Sequence, residues 1–504
     1  MKSDHIQGLI KIDEHSSFIN YKCEKDDFSK VIFYLSSEYS YIWLLGVHYY
    51  ELENLQYKLK YFFFDFEEKE RFSVSFEIQR GESFFSIVNQ WKNAQFYEDR
   101  IINKTDLKRQ SDYRFSSVQK DETLYLPEIK LSLESNLRQN NNKIGLRLEN
   151  DTIAKAYLPQ GRFDIGIENL LGQLELPLKY HALESYFPRK SLFWSHLLTF
   201  AREEAESLEV PDRAKAIRMV LLEMGRILNH LFDLHYLGQD FENHTLYVFS
   251  QLWIKKIQSL LISYSGNEFG MNIIRRGGVC LDINQSWSSR TIDELSALEK
   301  NLTSLIRDFL LNIRFNESAL QVKLVHKDQV MNWSLTGPIA RASGVNLDLR
   351  KRDPFYFYSD VEFEIPMGVD GTLFDLISVK IEEIVQSVGI IIQVLDNLPT
   401  GNFYSNEDPF QFFHQAEEKA EESYRNSVKN YLGKLNYSNV CFIEGPGGVL
   451  GIDINEGEGN SQLRLLGSQF SDALFLEKSL IGKNVDQVFP LWTALNLDLK
   501  EIER

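Results

Sequence analysis

After Val210-Pro211-Asp212, apolar residues recur at every third or fourth position: Ala214, Ile217, Leu221, Met224, Leu228, Leu231 and Leu234. That spacing puts one stripe along a long helix, and such a stripe has to be buried against other elements. The same periodicity covers roughly residues 246–264, 292–316, 373–395 and 407–432, so the later part of the chain reads as a helix-bundle body. The first hundred residues follow a different rule. YKLKYFFF from Tyr57 and RFSVSFEI from Arg71 alternate with period two, as half-buried strands do, and SIVNQWKNAQFYEDR, residues 86–100, reads as a short helix. Between these regions the run from Lys108 to Asp151 is polar, with QNNNK at residues 139–143, and reads as a connector. The expectation is an α+β protein with a small α/β domain over residues 1–112, a linker over 113–152 and a large, mainly helical domain over 153–504. Peripheral β-hairpins are expected in the large domain, as short strands around LPQGRFDIGI and GQLELPLKY and in the tail VCFIEGPGGVLGIDI.

Charge narrows the function classes. A net charge of -17 argues against nucleic acid as a main partner, because phosphate binding needs a concentrated basic surface. Arg275 and Arg276 form a compact basic pair, too small for such a surface, and their default reading is a solvated surface. The three cysteines, Cys23, Cys280 and Cys441, lie far apart and make no C-x-x-C pair. No metal site, disulfide scaffold or cysteine-ligated cluster is expected from this chain alone, and each cysteine reads as a small buried hydrophobe. Lys2, Asp4, Lys11, Asp13 and Glu14 interrupt the first twenty residues, so no signal-peptide core is expected, and VGIIIQVL from Val388 is too short to span a bilayer. The chain is expected to be soluble, intracellular and not itself transmembrane.

Three motifs can be read for chemistry. GPGGVLG at Gly445 lacks the Lys-Ser/Thr ending of a phosphate loop and runs into a strand, so it reads as a hairpin turn. Glu223, Arg226 and His230 stand at i, i+3 and i+7 of the long helix, on one face, where they build either a polar site or a buried ion-pair network. Arg275-Arg276-Gly277-Gly278 has a second reading, as donors aimed at a partner's cofactor. No Ser/His/Asp or Cys/His set has recognisable spacing.

The stretch from Leu335 to Pro399, beginning LTGPIARASGVNLDLRKRDPF, resembles the quinone-site subunit of respiratory complex I, which is related to the large subunit of nickel-iron hydrogenases. EVPDRAKAIRMVLLEMGRILNHL from Glu209, IIRRGGV from Ile273, EGPGGVLG from Glu444 and the terminal LKEIER match further pieces in family order. WKNAQFYEDR from Trp91 resembles the signature of the small α/β complex I subunit, which is fused to the quinone-site subunit in some organisms. The resemblance implies a hydrogenase-large-subunit-like fold and an iron–sulfur cluster held by a partner subunit. It also implies integral membrane subunits as partners and a place on the cytoplasmic face of the membrane.

The departures matter as much. The hydrogenase metal centre needs two C-x-x-C pairs, which are missing here. The family's first hairpin reads Gly-Pro-Gln-His-Pro-x-x-His-Gly, its first histidine reaching the quinone. LPQGRFDIG keeps Pro159, Gln160 and Gly166 but has Gly161 and Ile165 at the histidine positions. The histidine expected ahead of the Gly-Gly turn is also replaced, with Gly270 and Met271 in its neighbourhood. Tyr186, in YFPR, is the nearest match to the quinone-binding tyrosine. Arg275 and Arg341 match family arginines expected near the partner's cluster, and Glu223, Arg226 and His230 match its long-helix polar network. The reading is a hydrophilic-arm subunit of a complex I-like, energy-converting-hydrogenase-related complex that couples electron transfer to ion translocation, with degenerate quinone-site residues. The alternatives are an active NAD(P)H- or ferredoxin-quinone oxidoreductase subunit with His181 or Arg162 as substitute donor, and a non-redox structural subunit of an ion transporter.

Overall fold

Residues 61–65, Tyr-Phe-Phe-Phe-Asp, offer no polar face to water, and in the computed structural model they lie in a sheet covered on both sides. The structure describes residues 9–15, 18–38, 42–52, 55–110, 128–132, 143–149, 152–157, 166–311, 322–405, 437–457, 460–488, 491–492, 495 and 497. Strands β1 (Leu9–His15), β2 (Phe18–Cys23), β3 (Ile42–Leu52), β4 (Gln56–Asp65) and β5 (Glu70–Gln79) form one sheet in the order β1-β2-β5-β4-β3. All neighbours are antiparallel except β2 and β5. Alternation along β4 sends Tyr61 and Phe63 to one face, where Phe28 of α1 (Phe28–Glu38) meets Tyr61 at 4.8 Å and Trp91 meets Phe63 at 5.1 Å between ring centres. Lys60 and Phe62 point to the opposite face.

The helix expected over 86–100 starts later, as α2 (Ala94–Lys104). Tertiary bonds hold the residues before it in turns: the Glu98 carboxylate accepts from Ile87 N at 2.9 Å, and Asn93 Nδ2 donates to Leu44 O at 2.8 Å. Strand β6 (Ser83–Phe85) pairs with β7 (Lys108–Gln110). Two strands, β8 (Glu128–Ser132) and β9 (Lys143–Glu149), lie inside the stretch read as a connector and pair with β10 (Thr152–Tyr157) in the order β10-β9-β8. The period-two pattern of KIGLRLE explains β9, whose Leu146 is fully buried.

The LPQGRFDI part of the expected hairpin, residues 158–165, lies outside the described residues, and with it Gly161, Arg162 and Ile165. The strand expected at GQLELPLKY is corrected to helix: α3 (Ile167–Gln173) is followed directly by α4 (Leu176–Tyr186). Pro177 sits in the first turn of α4, where its missing N–H costs nothing, and Leu176, Tyr180 and Leu183 are buried at helical spacing.

The bundle matches the periodicity. It comprises α5 (Ser191–Glu206), α6 (Asp212–Asp240), α7 (His244–Ser265), α8 (Gln285–Leu311) and α9 (Leu373–Asp396). Between α7 and α8 a short ribbon, β11 (Ile274–Arg275) paired with β12 (Gly278–Val279), carries the Gly277-Gly278 turn. The helix expected over 407–432 lies outside the described residues. α6 packs against α7, α9 and α5 and is buried without a break from Ala216 to Leu231. Strands β13 (Tyr437–Gly445), β14 (Gly448–Gly457) and β15 (Asn460–Gly467) form an antiparallel meander that leads into α10 (Gln469–Ser479). Gly445 lies opposite Gly448, so Pro446 and Gly447 make a hairpin turn, as read from the sequence.

This meander meets the free face of the first sheet. Tyr50 donates to Asp453 on β14, and Lys60 Nζ stands 3.5 Å from the same carboxylate. A Cβ on Gly46 would lie 2.3 Å from Leu466 Cδ2, so β3 and β15 approach closely there. Among the described residues no helix is long and apolar enough to cross a membrane.

Candidate functional site

A helix buried on all sides has nowhere to solvate its charges, so the polar residues of α6 need partners. Those on α9 supply them. Glu223, His230 and Asp233 ascend α6 while Ser387, Glu383 and Lys380 descend α9, and the two rows meet as rungs between antiparallel helices. Ser387 Oγ donates to Glu223 at 2.6 Å, His230 Nε2 lies 2.8 Å from Glu383 Oε2, and Lys380 Nζ donates to Asp233 at 2.8 Å.

Three shorter segments close on this zipper. Arg341, from the turn of helix at residues 338–342, donates Nε to Glu383 at 2.7 Å and Nη1 to Glu444 at 2.8 Å. Arg350 bonds Asp348 at 2.7 Å and Glu223 at 3.0 Å, and Tyr358 donates to Glu223 at 2.6 Å. Arg226 donates to Gly445 O at 2.9 Å and Glu444 O at 2.7 Å, which fixes the end of β13 on α6. The β13–β14 turn is also wedged against residues 335–338: a Cβ on Gly337, whose φ is +73°, would lie 2.5 Å from Gly448 Cα. No side chain fits there.

Arg226, Arg341, Arg350, Glu223, Asp348, Glu383, Glu444 and His230 are all sealed from solvent. Burial pushes the Glu383 carboxyl up, but Arg341 and then His230 outweigh it and hold it far below the usual carboxylate range. Burial likewise opposes the charge of Glu223 and loses to Arg350 and Arg226. Burial holds the His230 imidazole below its ordinary value despite Glu383. For Glu444 the balance goes the other way: burial, and next the Asp348 carboxylate, raise it. Such a cluster can fix charge and protons in a low-dielectric interior, but it has no opening for a substrate.

A second network holds the Gly277-Gly278 turn. Arg218 of α6 forms a two-pronged pair with Glu203 at 2.7 Å on each side and donates to Gly278 O and Arg275 O, while Glu203 accepts from Gly277 N at 2.6 Å. Arg218 also donates to the Tyr356 hydroxyl at 2.8 Å, and Tyr356 holds a φ of +52° in this contact. Arg275 pairs with Glu184 on α4 at 2.8 Å and lies over the Tyr180 ring at 4.6 Å. Arg276 is buried against Glu206. The reading of Arg275 and Arg276 as solvated surface is therefore corrected: each sits on a carboxylate. Cys280, just past the turn, is exposed, which corrects its reading as a buried hydrophobe; Cys23 and Cys441 are buried.

Of the residues singled out in the sequence, Glu223, Arg226, His230 and Arg341 converge in one cluster. Arg275 belongs to the turn network instead. Tyr186, the last residue of α4, packs its ring edge-on against Phe187 at 4.7 Å, two positions beyond the Glu184 that holds Arg275. His181 is exposed on α4. Sequence reading missed Asp348, Arg350, Glu383 and Glu444, and the pair Arg218–Glu203. One signal was present: Lys380, Glu383 and Ser387 stand at i, i+3 and i+7 among the Leu, Ile and Val residues of one face of α9, the spacing that Glu223, Arg226 and His230 have on α6. Among the described residues, no three His, Cys, Asp or Glu side chains are grouped to hold a metal ion.

Comparison with known proteins gives a family. The family described as "Respiratory-chain NADH dehydrogenase, 49 Kd subunit" matches residues 244–504. The chain is 34% identical over 203 residues to the C/D-type NADH-quinone oxidoreductase subunit of Photorhabdus laumondii, spanning 40% of this chain and 34% of that one. It is 31% identical over 264 residues to the D-type NADH-quinone oxidoreductase subunit of Desulforamulus reducens, covering 51% of this chain and 71% of the relative. Against a D-type subunit of Opitutus terrae the identity is 30% over 316 residues, 60% of this chain and 73% of the relative. The chain thus spans about a third of the C/D-type relative and over two thirds of each D-type relative.

Proposed function

The chain belongs to the family of the 49 kDa subunit of respiratory-chain NADH dehydrogenase, and on that premise we propose that it is a peripheral subunit of a complex I-like membrane assembly. In this reading it packs against an iron–sulfur subunit and membrane subunits on the cytoplasmic face, with residues 1–112 serving as a fused small subunit. It acts by transmitting electrostatic or conformational change and not by delivering protons to quinone itself. One observation carries this: the family's segments are kept, while Gly161 and Ile165 stand where its hairpin histidines belong. A quinone being reduced needs a donor within hydrogen-bond reach, and glycine and isoleucine side chains have none. The interior supports the reading, since Arg341 and the α6 row sit in a sealed network suited to holding geometry. Arg275, on the turn network, is the residue we place nearest to a partner's cluster.

The test is affinity purification of the assembly from native membranes, followed by assays of quinone reduction in wild type and Tyr186→Phe. Little or no quinone reduction, unchanged by the substitution, is expected. Ordinary rates abolished by Tyr186→Phe would falsify the emptied-site reading.

A further inference from the structure

The buried cluster does not balance its charges. Three guanidinium groups, Arg226, Arg341 and Arg350, face four carboxyl groups, Glu223, Asp348, Glu383 and Glu444, and all seven are sealed from solvent. A net charge in such an interior is costly, and proteins relieve it by changing protonation. The nearby cations bond a different carboxylate: Lys380 lies 2.8 Å and Arg189 3.2 Å from Asp233, and Arg189 is 29% exposed. Tyr358 and Ser387 contribute neutral hydroxyls.

Two groups in the cluster can take a proton. His230 faces Glu383 through Nε2, with Asp233 and Lys380 nearby, and its buried Nδ1 has no partner among the described residues. Glu444 faces Arg341 and Leu349 N, and shares with Asp348 a single nitrogen, Arg341 Nη1, at 2.8 Å and 3.6 Å. Two carboxylates converging on one donor are the less stable arrangement when both are charged. We propose that the cluster binds one proton at neutral pH and that the Asp348–Glu444 pair carries it, on Glu444. The directions of titration agree: burial and Asp348 raise Glu444, while burial lowers His230. Arg341 then joins the protonated pair to the Glu383–His230 pair through one guanidinium, so this is a proton-holding site inside the subunit. The proposal does not depend on whether the assembly reduces quinone.

The test is infrared spectroscopy of the full chain labelled with carbon-13 glutamate, in a Glu98→Gln background that removes another buried carboxyl of raised pKa. A label-sensitive protonated-carboxyl band at neutral pH, lost in Glu444→Gln, is expected. In melting experiments at the same pH, Glu444→Gln should stay close to its parent, whereas Glu383→Gln should melt several degrees lower. The absence of a labelled band before any cluster residue is changed overturns the proposal without requiring a cluster variant to fold. So does Glu444→Gln melting as low as Glu383→Gln.

Discussion

Two parts of the core of this chain are stabilised by different physics. Around the first sheet, Phe28, Tyr61, Phe63, Phe72 and Phe76 fill the space between sheet and helix with apolar area, each contact worth its own share. In the bundle, the apolar faces of α6 and α9 also enclose a set of charged and polar groups, which have to be held by one another because water does not reach them. An apolar core loses stability contact by contact as it is trimmed. An ionic network fails as a set wherever a deletion leaves a buried charge without its partner.

Arg341→Ala should separate the two most sharply. It leaves Glu383 and Glu444 buried without their shared donor and should cost about 3–5 kcal/mol, read as loss of soluble protein or a large fall in denaturation midpoint. Tyr50→Phe tests the seam between the cores by removing the hydroxyl bonded to Asp453. Lys60 still faces that carboxylate, so the loss should be about 1–3 kcal/mol in chemical denaturation. An effect of comparable size is expected from pH. Burial pushes Glu98 up to about 7 against the pull of Arg109. The folded state therefore holds its proton more tightly than the unfolded state. Stability should fall as pH rises from the ordinary carboxyl range to about 7 and then level off, and Glu98→Gln should flatten that slope. The smallest change is His196→Phe. Both nitrogens of this buried ring lack a partner among the described residues, and it stacks against Phe200 and Phe355. The variant should be neutral to slightly stabilising near pH 7. Burial lowers His196, so wild type loses stability as pH drops below the ordinary imidazole range; the variant should lose less.

How much was legible follows from the same contrast. Alternation in YKLKYFFF and RFSVSFEI and the stripe on α6 report which side faces apolar surroundings, and those elements fold as read. GQLELPLKY misled because a proline that suggests a break also suits a helix start. The spacing of Glu223, Arg226 and His230 pointed to a network, but their partners Arg350, Glu444 and Glu383 lie more than a hundred positions away, and periodicity carries no information over that distance. Arg275 and Arg276 looked solvated because Glu184 and Glu206 reach them only after the chain has folded back.

The rungs between α6 and α9 also limit how these helices can move. Sliding one past the other by a single turn breaks Ser387–Glu223, His230–Glu383 and Lys380–Asp233 together and leaves each group opposite a wrong mate. The three rungs thus act as teeth between α6 and α9, and an axial shift of one helix alone has to break all of them at once.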